Sequence, residues 1–226
     1  MQQSWLRVKD LSGIGSWLLS KLYIIPGIVV AISVHEFGHA KAAQLCGDRT
    51  SSALGRVSLD PRAHIDLIGL LMLFFVGFGW GKPVLIDPRQ FRHPRRDQII
   101  VGLAGVFNNF VTAVVFAVIC RLYVQFVPNA FFISTLGNVI FTILIQTVSI
   151  NISLMLFNLL PIPPLDGFGV VCGIFGLYNT RFYWYARRYG MPLLLILVYF
   201  GFTANILGPL STSVFRFVIR IATIGM

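Results

Sequence analysis

The sequence predicts an all-α polytopic membrane protein with about five or six membrane segments. Of the 226 residues, 56% are hydrophobic and only 12% are charged, whereas ordinary soluble domains carry about 25% charged residues. The mean hydropathy is +0.80. This composition excludes a soluble globular protein and a disordered chain, and the length accommodates these crossings at about 20 residues each.

The basic residues predict how the chain contacts its membrane. The chain has 18 Lys and Arg against 8 Asp and Glu, which gives a net charge of +10. They fall mostly in short stretches between apolar runs, where Lys and Arg fix membrane orientation and contact anionic headgroups. We therefore expect the lipid bilayer as their partner and no nucleic acid, because no patch interleaves aromatic and basic residues.

The first membrane segment covers residues 17–45 and is interrupted by Pro26. A polar stretch follows, and within it residues 53–59 alternate loosely enough to predict a short β-hairpin. Residues 65–80 are apolar but short, and they contain Asp66 and three glycines. Such a segment either spans the bilayer or enters it and returns, and we expect this second, re-entrant geometry.

The second half of the chain predicts further crossings. Residues 99–123 and 131–160 are long enough to span, the latter with a tilt or a break near Gly137. Prolines then end the helix, because they remove backbone donors and clash with the preceding turn. Residues 191–209 form another spanning candidate. The tail 211–226 is expected to lie on the membrane surface or to form part of a further crossing.

The cysteines do not predict a disulfide framework or a zinc ribbon. Cys46, Cys120 and Cys172 are odd in number and lack CxxC spacing. Disulfide-bonded domains usually have an even number of cysteines, and zinc ribbons have CxxC spacing. We expect three buried free thiols.

The strongest chemical motif is His35-Glu36-Phe37-Gly38-His39, an HExxH pattern near the end of the first segment. On a helix, positions i and i+4 share a face, so both imidazoles can bind one zinc ion while Glu36 reaches the water on the metal. Glu36 is the only Glu of the chain. Ionisable residues inside membrane segments are costly and usually functional, so the motif predicts a zinc site rather than polar residues that only hydrogen-bond within the helix.

A catalytic zinc site needs a third protein ligand and an open position for water. Asp166 is the best candidate, because it follows three prolines in the segment NLLPIPPLDG and precedes Gly167, which permits a tight turn. Taken alone, Asp166 would be interpreted as a residue that caps the next helix. Beside an intramembrane HExxH motif, we expect its carboxylate to complete the metal site.

These two motifs resemble those of the site-2 protease family of intramembrane zinc metalloproteases, in which HExxH lies in one membrane helix and an NxxPxPxxDG segment in a later one. Three intervening stretches are similar to the small branch of that family that lacks a PDZ domain: GWGKPV at residues 79–84, FRHPRR at 91–96 and AGVFNN at 104–109. The resemblance covers about residues 30–170. One departure is Val106, where many relatives have Pro, and it leaves the spacing to the following Asn intact.

The resemblance implies a role for each matching residue. His35, His39 and Asp166 would bind one zinc ion per chain. Glu36 would act as general base and then as general acid, and Asn109 would lie beside the scissile peptide. The residues themselves leave Asn109 open, because an amide about ten residues into a spanning helix either contacts substrate or makes an interhelical hydrogen bond.

The roles of four other polar residues are less well defined by the sequence. His64 and Asp66 are interpreted either as partners of a zinc ligand or as caps of the next segment, with capping preferred. Asn108 points to another face than Asn109 and is expected to be structural. His93 lies among arginines, so we expect it to face solvent or lipid headgroups.

The resemblance further implies a single integral membrane protease domain over residues 1–226, with a catalytic core at about 17–178 and accessory segments at about 190–226. The expected activity is hydrolysis of peptide bonds within or near the transmembrane helices of membrane-anchored substrates, in regulated intramembrane proteolysis. The alternative is a zinc-binding transporter or scaffold that does not hydrolyse peptides. A transporter would offer several intramembrane acidic or His sites and repeated halves, whereas this sequence has one such cluster and no repeat.

The charge distribution also predicts the orientation of this multi-pass protein, and the resemblance implies a prokaryotic plasma membrane. Basic loops at residues 81–97 and 181–188 are expected on the cytoplasmic side. Two crossings between them return Asp166 to that side, so the site would open toward the cytoplasm. Residues 65–80 must then dip into the membrane and return, because a single crossing would place the loop at 81–97 outside.

Overall fold

A computed structural model describes residues 3–76 and 79–223, with side chains from residue 17 onward. The described chain is helical, with one 3-10 turn at Pro88–Gln90. The helices are α1 Gln3–Cys46, α2 Thr50–Ala53, α3 Pro61–His64, α4 Leu67–Val76, α5 Pro94–Phe126, α6 Asn129–Phe132, α7 Thr135–Asn158, α8 Asp166–Phe175, α9 Arg181–Tyr199 and α10 Phe202–Thr223.

Four helices of the described chain are long and apolar enough to cross a membrane: α1 over Trp17–Cys46, α5, α7 and α10. This all-α arrangement agrees with an integral membrane protein, and the number of candidate spans is lower than the five or six expected. The predicted break near Gly137 lies just before α7, where the Ser134 hydroxyl accepts a hydrogen bond from the Gly137 N–H. The three cysteines are free and buried, as predicted.

The prediction of one crossing over residues 191–209 is wrong. Helix α9 ends at Tyr199 and α10 begins at Phe202. Between them Gly201 adopts a left-handed φ of 70°, which glycine reaches without the steric cost that a Cβ imposes. The tail therefore does not lie on the surface by itself, because residues 211–223 continue α10.

The β-hairpin predicted at residues 53–59 is absent, since the structure assigns no strand to any residue it describes. Instead, side chains satisfy the backbone locally, which competes with strand pairing. The Asp48 carboxylate accepts the N–H of Thr50, and the Asp60 carboxylate accepts the N–H of Arg62 at the start of α3. The loose alternation of apolar residues therefore reflects short helices and turns.

Helix α4 closes the segment 65–80 on itself. Its ten residues measure about 15 Å, roughly half of the hydrocarbon thickness that a span must cross. The Asp66 carboxylate accepts the N–H of Gly69 and so caps the helix, as the capping interpretation predicted. After α4 the chain returns, and the Lys82 N–H donates to the His64 carbonyl at 2.7 Å. The two ends of the segment therefore meet on one side.

The helices pack around a core of small and aliphatic residues. Helix α5 contributes Ala113 and Ala117, which are essentially buried, and α7 contributes Val148 and Ile152. Small residues allow membrane helices to approach closely without help from a hydrophobic driving force. Helices α1, α5 and α7 pack mutually, α10 packs on α5 and α7, and α8 packs on α5. The functional motifs lie where α1, α5 and α8 converge.

Candidate metal centre

The HExxH motif lies in α1, near the C-terminal end of the candidate span. His35 and His39 are each only 6% exposed, and their imidazoles lie one helical turn apart on the face that packs against α5. The two Nε2 atoms are 3.1 Å apart. The motif thus brings two nitrogen ligands to a single point, as its spacing predicted.

Asp166 meets both histidines. Its Oδ2 lies 3.1 Å from the Nε2 of His35 and 3.1 Å from the Nε2 of His39. The three ligand atoms therefore form a nearly equilateral triangle. A tetrahedral zinc ion with bonds of about 2.0–2.1 Å requires ligand atoms about 3.3 Å apart, so the donor set and its spacing fit zinc and leave the fourth position open.

The break before α8 delivers Asp166 to this point. Leu165 precedes the helix in extended conformation, and Asp166 is the first residue of α8. Gly167 packs so tightly that a Cβ there would come within 2.3 Å of the Leu159 carbonyl oxygen. The prolines that end the preceding helix and the glycine that follows the aspartate therefore both position the carboxylate.

His35 is oriented by a chain of hydrogen bonds through the buried side-chain amides of Asn109 and Asn151, here called the relay. Its Nδ1–H donates to Asn109 Oδ1 at 2.7 Å, which leaves the Nε2 lone pair facing Asp166. The Asn109 amide group in turn donates to the Ala31 carbonyl at 3.0 Å and to Asn151 Oδ1 at 2.9 Å. Both asparagines are fully buried. Of the two interpretations of Asn109, the structure therefore displays the interhelical hydrogen bond.

A backbone carbonyl orients His39. Its Nδ1–H donates to the Val101 carbonyl of α5 at 2.7 Å, so both histidines present Nε2 to the centre. Helix α5 approaches closely because Gly105 has no side chain: a Cβ there would come within 2.5 Å of His39 Nε2. Sequence reasoning missed Val101, because a carbonyl leaves no signal in the residue type. Gly105 belongs to the AGVFNN stretch at residues 104–109, but its close approach to His39 was not predicted.

Glu36 contacts the segment that returns from α4, here called the strap (residues 79–87). The Val84 N–H donates to Glu36 Oε2 at 2.9 Å. At Gly81 the strap runs so close to α1 that a Cβ would come within 2.7 Å of Ile32. The carboxylate next to the metal ligands is therefore held on one oxygen by the strap backbone.

Side chains outside the strap fix it in place. The Arg56 guanidinium donates to the carbonyls of Lys82 and Pro83, at 2.8 and 2.9 Å. The Ser51 hydroxyl donates to the Leu85 carbonyl at 2.5 Å. Arg56 lies within residues 53–59, which were expected to form a hairpin, and Ser51 lies just before them, so this part of the chain instead braces the strap.

The far end of the strap is Asp87, and Asp48 holds it in place. The buried Asp48 carboxylate accepts the N–H of Asp87 at 2.8 Å. Hydrogen bonds from Arg89 lower the pKa of Asp87 to about 2, so this carboxylate is ionised at neutral pH. Neither aspartate was singled out from the sequence. The signal available was that Asp48 lies just after the helix that contains HExxH.

The metal centre opens into a cavity of about 620 Å³. Its walls come from α1, the strap, the beginning of α5, the end of α7 and the segment 163–169. Helix α9 closes another wall with Tyr183, Arg187, Met191 and Leu194. The cavity is lined mostly by apolar side chains, and Glu36 lies on its surface together with the three ligands.

An aromatic platform connects α9 to the helix that begins with Asp166. The Tyr183 ring lies parallel to the Phe168 ring with 5.9 Å between centroids, and Tyr178 packs edge-on against Tyr183 at 5.2 Å. The Tyr178 hydroxyl donates to the Gly169 carbonyl at 2.5 Å. Burial raises the pKa of Tyr178 to about 12, so the hydroxyl stays protonated and keeps this bond at physiological pH.

The remaining polar residues lie away from the ligands. His64 is fully buried, and its Nε2–H donates to the Ser58 carbonyl at 2.7 Å. Asn108 donates to the Val34 carbonyl at 3.1 Å and so links α5 to α1. His93 is exposed and precedes α5. None of these three contacts His35, His39 or Asp166 through a described hydrogen bond.

Comparisons with known proteins point to one family. Residues 23–199 match the family model described as peptidase family M50. YwhC of Bacillus subtilis, named as a candidate zinc metalloprotease, is 31% identical over 194 residues, which cover 84% of this chain and 86% of that protein. Rip2 of Mycobacterium tuberculosis, named likewise, is 31% identical over 180 residues, which cover 77% of this chain and 65% of that protein. No solved structure matches significantly.

Proposed function

The chain belongs to peptidase family M50, the site-2 protease family of zinc metalloproteases, and from that premise we propose that it hydrolyses peptide bonds within or near transmembrane segments of membrane-anchored proteins. The observation that carries the proposal is the convergence of two histidines and one aspartate beside Glu36 in a cavity between apolar helices. A site at that position is accessible to a polypeptide in the membrane.

In this proposal His35, His39 and Asp166 hold one zinc ion. The triangle of ligand atoms and the two Nδ1 hydrogen bonds support this assignment. Zinc bound there would polarise a substrate carbonyl and lower the pKa of water toward neutrality. The protein's own contribution is to present both Nε2 lone pairs and a carboxylate oxygen at the right separation and to keep the fourth position facing the cavity.

Glu36 is the proposed general base and then general acid. Its Oε2 accepts the Val84 N–H, while its Oε1 has no described hydrogen bond. The carboxylate can therefore take a proton from the attacking water through Oε1 and pass that proton to the leaving amine. The bond to the strap keeps the side chain in one orientation during both transfers.

The substrate must lose its helical structure before it reacts. A membrane helix ties its carbonyls in hydrogen bonds to residue i+4, and these carbonyls are then unavailable for attack. The cavity of about 620 Å³ has room for a few side chains of an unwound segment. We propose that substrates are membrane-anchored regulators whose transmembrane helix unwinds next to the metal centre.

The proposed location is a prokaryotic plasma membrane with the site open toward the cytoplasm. The named relatives are bacterial. The hydrogen bond between the Lys82 N–H and the His64 carbonyl supports this orientation, because it joins the two ends of the 65–80 segment on the same side. The basic residues of 81–97 and 181–188 then lie on the same side as the site.

A metal transporter is less consistent with the site. Among the His, Cys, Asp and Glu residues that the structure describes, only His35, His39 and Asp166 lie close enough together to hold a metal ion. Transport along a path would use a succession of such groups. The single group lies beside a general base, which suits hydrolysis.

The test is proteolysis by the purified protein in lipid nanodiscs, with a peptide that contains one transmembrane helix. We expect cleavage inside or next to the helix, loss of cleavage with a zinc chelator and recovery when zinc is added. A zinc-loaded protein that cleaves soluble peptides but no membrane-inserted peptide would contradict the proposal. Mass spectrometry of the products locates the scissile bond.

A further inference from the structure

Arg187 is the one Arg or Lys among the described side chains that line the cavity. The other ionisable groups of the lining are the two histidines and two carboxylates of the metal centre and two tyrosines. No carboxylate of the described chain lies within 4.0 Å of Arg187. Although it is an exposed residue, Arg187 brings to the cavity lining a positive charge that no carboxylate of the described chain neutralises.

The guanidinium of Arg187 is held in a defined orientation. Its Nη1 donates to the Tyr183 hydroxyl at 3.2 Å, and its Cζ lies 5.8 Å from the centre of the Tyr183 ring. The Tyr183 ring stacks on Phe168, two residues after Asp166. The other guanidinium N–H groups have no described hydrogen-bond partner. The metal-ligand helix and the cation are therefore connected through Tyr183 and Phe168.

The next residue provides a contrast. Arg188 stacks on the exposed ring of Tyr189, with 5.8 Å between Cζ and the ring centre, and it does not line the cavity. A basic residue that only fixes membrane orientation needs no position in a cavity. Both arginines are exposed, but only Arg187 lines the cavity in which a substrate would lie.

From this contrast we infer that Arg187 binds a carboxylate side chain of the substrate, an Asp or Glu close to the scissile bond. The inference rests on the proposed function and names a feature of its substrates. A guanidinium pairs with a carboxylate through two parallel hydrogen bonds, and a substrate that covers the exposed Arg187 would remove this pair from water and so strengthen the attraction. Substrates with an acidic residue at one position near the cleavage site are therefore preferred.

The experiment uses a series of transmembrane peptides in nanodiscs of neutral lipid, each with Asp, Asn or Lys at one position near the cleavage site. For the wild-type protein we expect kcat/KM to be at least about tenfold higher with Asp than with Asn at one position, as for a hydrogen bond to a charged partner. Arg187→Gln removes that preference. Arg187→Glu reverses it and favours Lys, while Arg188→Gln keeps the wild-type preference.

Peptide binding provides a readout that does not depend on turnover. In a Glu36→Gln background, the Asp peptide is expected to bind about tenfold more tightly than the Asn peptide, and the difference disappears when Arg187→Gln is added. Equal cleavage and binding of Asp and Asn peptides at every position, or a preference that survives Arg187→Gln, would overturn the inference.

Two further outcomes separate the alternatives. If the effect of Arg187→Gln follows the content of anionic lipid and ignores the peptide charge, the cation binds a headgroup phosphate and the inference is wrong. If the wild-type protein cleaves none of the peptides, the proposed function fails. If such a protein still binds the Asp peptide more tightly than the Asn peptide, the carboxylate site at Arg187 is supported without the proteolytic function. If it binds the two peptides equally, both the proposed function and the inference about Arg187 are wrong.

Discussion

At the scale of single residues, the metal centre depends on hydrogen bonds that run in one direction. The Asn151 amide donates to the Thr147 carbonyl at 2.8 Å, the Asn109 amide donates to Asn151, and His35 donates to Asn109. Backbone carbonyls can only accept, so the relay cannot reverse. The Nδ1 of His35 must therefore carry the proton, and its Nε2 is the atom available to a metal.

We expect Asn109→Leu to lower the zinc affinity about 10-fold to 100-fold, the usual cost of losing a hydrogen bond that orients a metal ligand. The measurement is a titration of the metal-free protein against a competing chelator. Asn108→Leu is the matched control, because Asn108 bonds α1 through the Val34 carbonyl and contacts neither histidine. Equal affinities of the two variants would show that the relay does not orient His35.

We expect Gly105→Ala to abolish tight zinc binding, because the new Cβ would come within 2.5 Å of His39 Nε2. Gly102→Ala is the comparison: its Cβ would meet the Cγ2 of Val170 at 2.9 Å, and no side chain of a metal ligand is among its nearest neighbours. Zinc content after gel filtration distinguishes them. A zinc-loaded Gly105→Ala protein would mean that α5 does not constrain the site.

The sequence could predict the residues of the site better than their supports. His35, Glu36, His39 and Asp166 carry signals because rare ionisable groups stand out in apolar segments. The structure brings them together as predicted. It also places the carbonyl of Val101 behind His39, and a backbone group of this kind is invisible in a single sequence.

At the scale of elements, the strap connects Glu36, the proposed general base, to the rest of the fold. Its backbone donates to Glu36 through Val84, and its own carbonyls accept from Arg56. The polar stretch before α4 therefore holds the strap that contacts Glu36, without contacting Glu36 itself through a described hydrogen bond. The hairpin prediction failed there because alternation alone does not identify a partner strand, and the aspartates cap helices and turns instead.

We expect Arg56→Gln to lower kcat by about tenfold to a hundredfold, the scale of a small misplacement of a catalytic group, with zinc content unchanged. Arg56→Lys should recover part of the loss, because an ammonium can still donate to one carbonyl. Arg62→Gln is the control, since Arg62 is exposed and its side chain has no described hydrogen bond. An Arg56→Gln protein with wild-type kcat would remove the strap from this account.

At the scale of the whole molecule, the sequence predicted the class of fold but misplaced the last helix boundary. Apolar length identified α1, α5 and α7 because each contains a long, mostly apolar run. It failed at residues 191–209, where a turn at Gly201 divides two helices. Both neighbouring segments are apolar, so neither hydropathy nor charge marks the boundary.

Orientation is tested by single cysteines in a background without Cys46, Cys120 and Cys172. We expect Ser58→Cys and Arg95→Cys to react with an impermeant thiol reagent only when it is applied from the cytoplasmic side, because the segment between them closes on itself. A cysteine in place of Arg181 should behave in the same way. Labelling of the first two positions from opposite sides would mean that residues 65–80 span the membrane.

The central claim is that Glu36 acts as the general base of a zinc protease, and Glu36→Gln tests it most directly. Glutamine keeps the size of the side chain, and its amide oxygen can still accept the Val84 N–H, but it cannot take the proton. We predict one zinc per chain, unchanged thermal stability and cleavage of a transmembrane peptide lowered at least about a hundredfold. Asp60→Asn, which changes an exposed carboxylate away from the cavity, should cleave at the wild-type rate. Turnover near the wild-type rate in zinc-loaded Glu36→Gln protein would contradict the account.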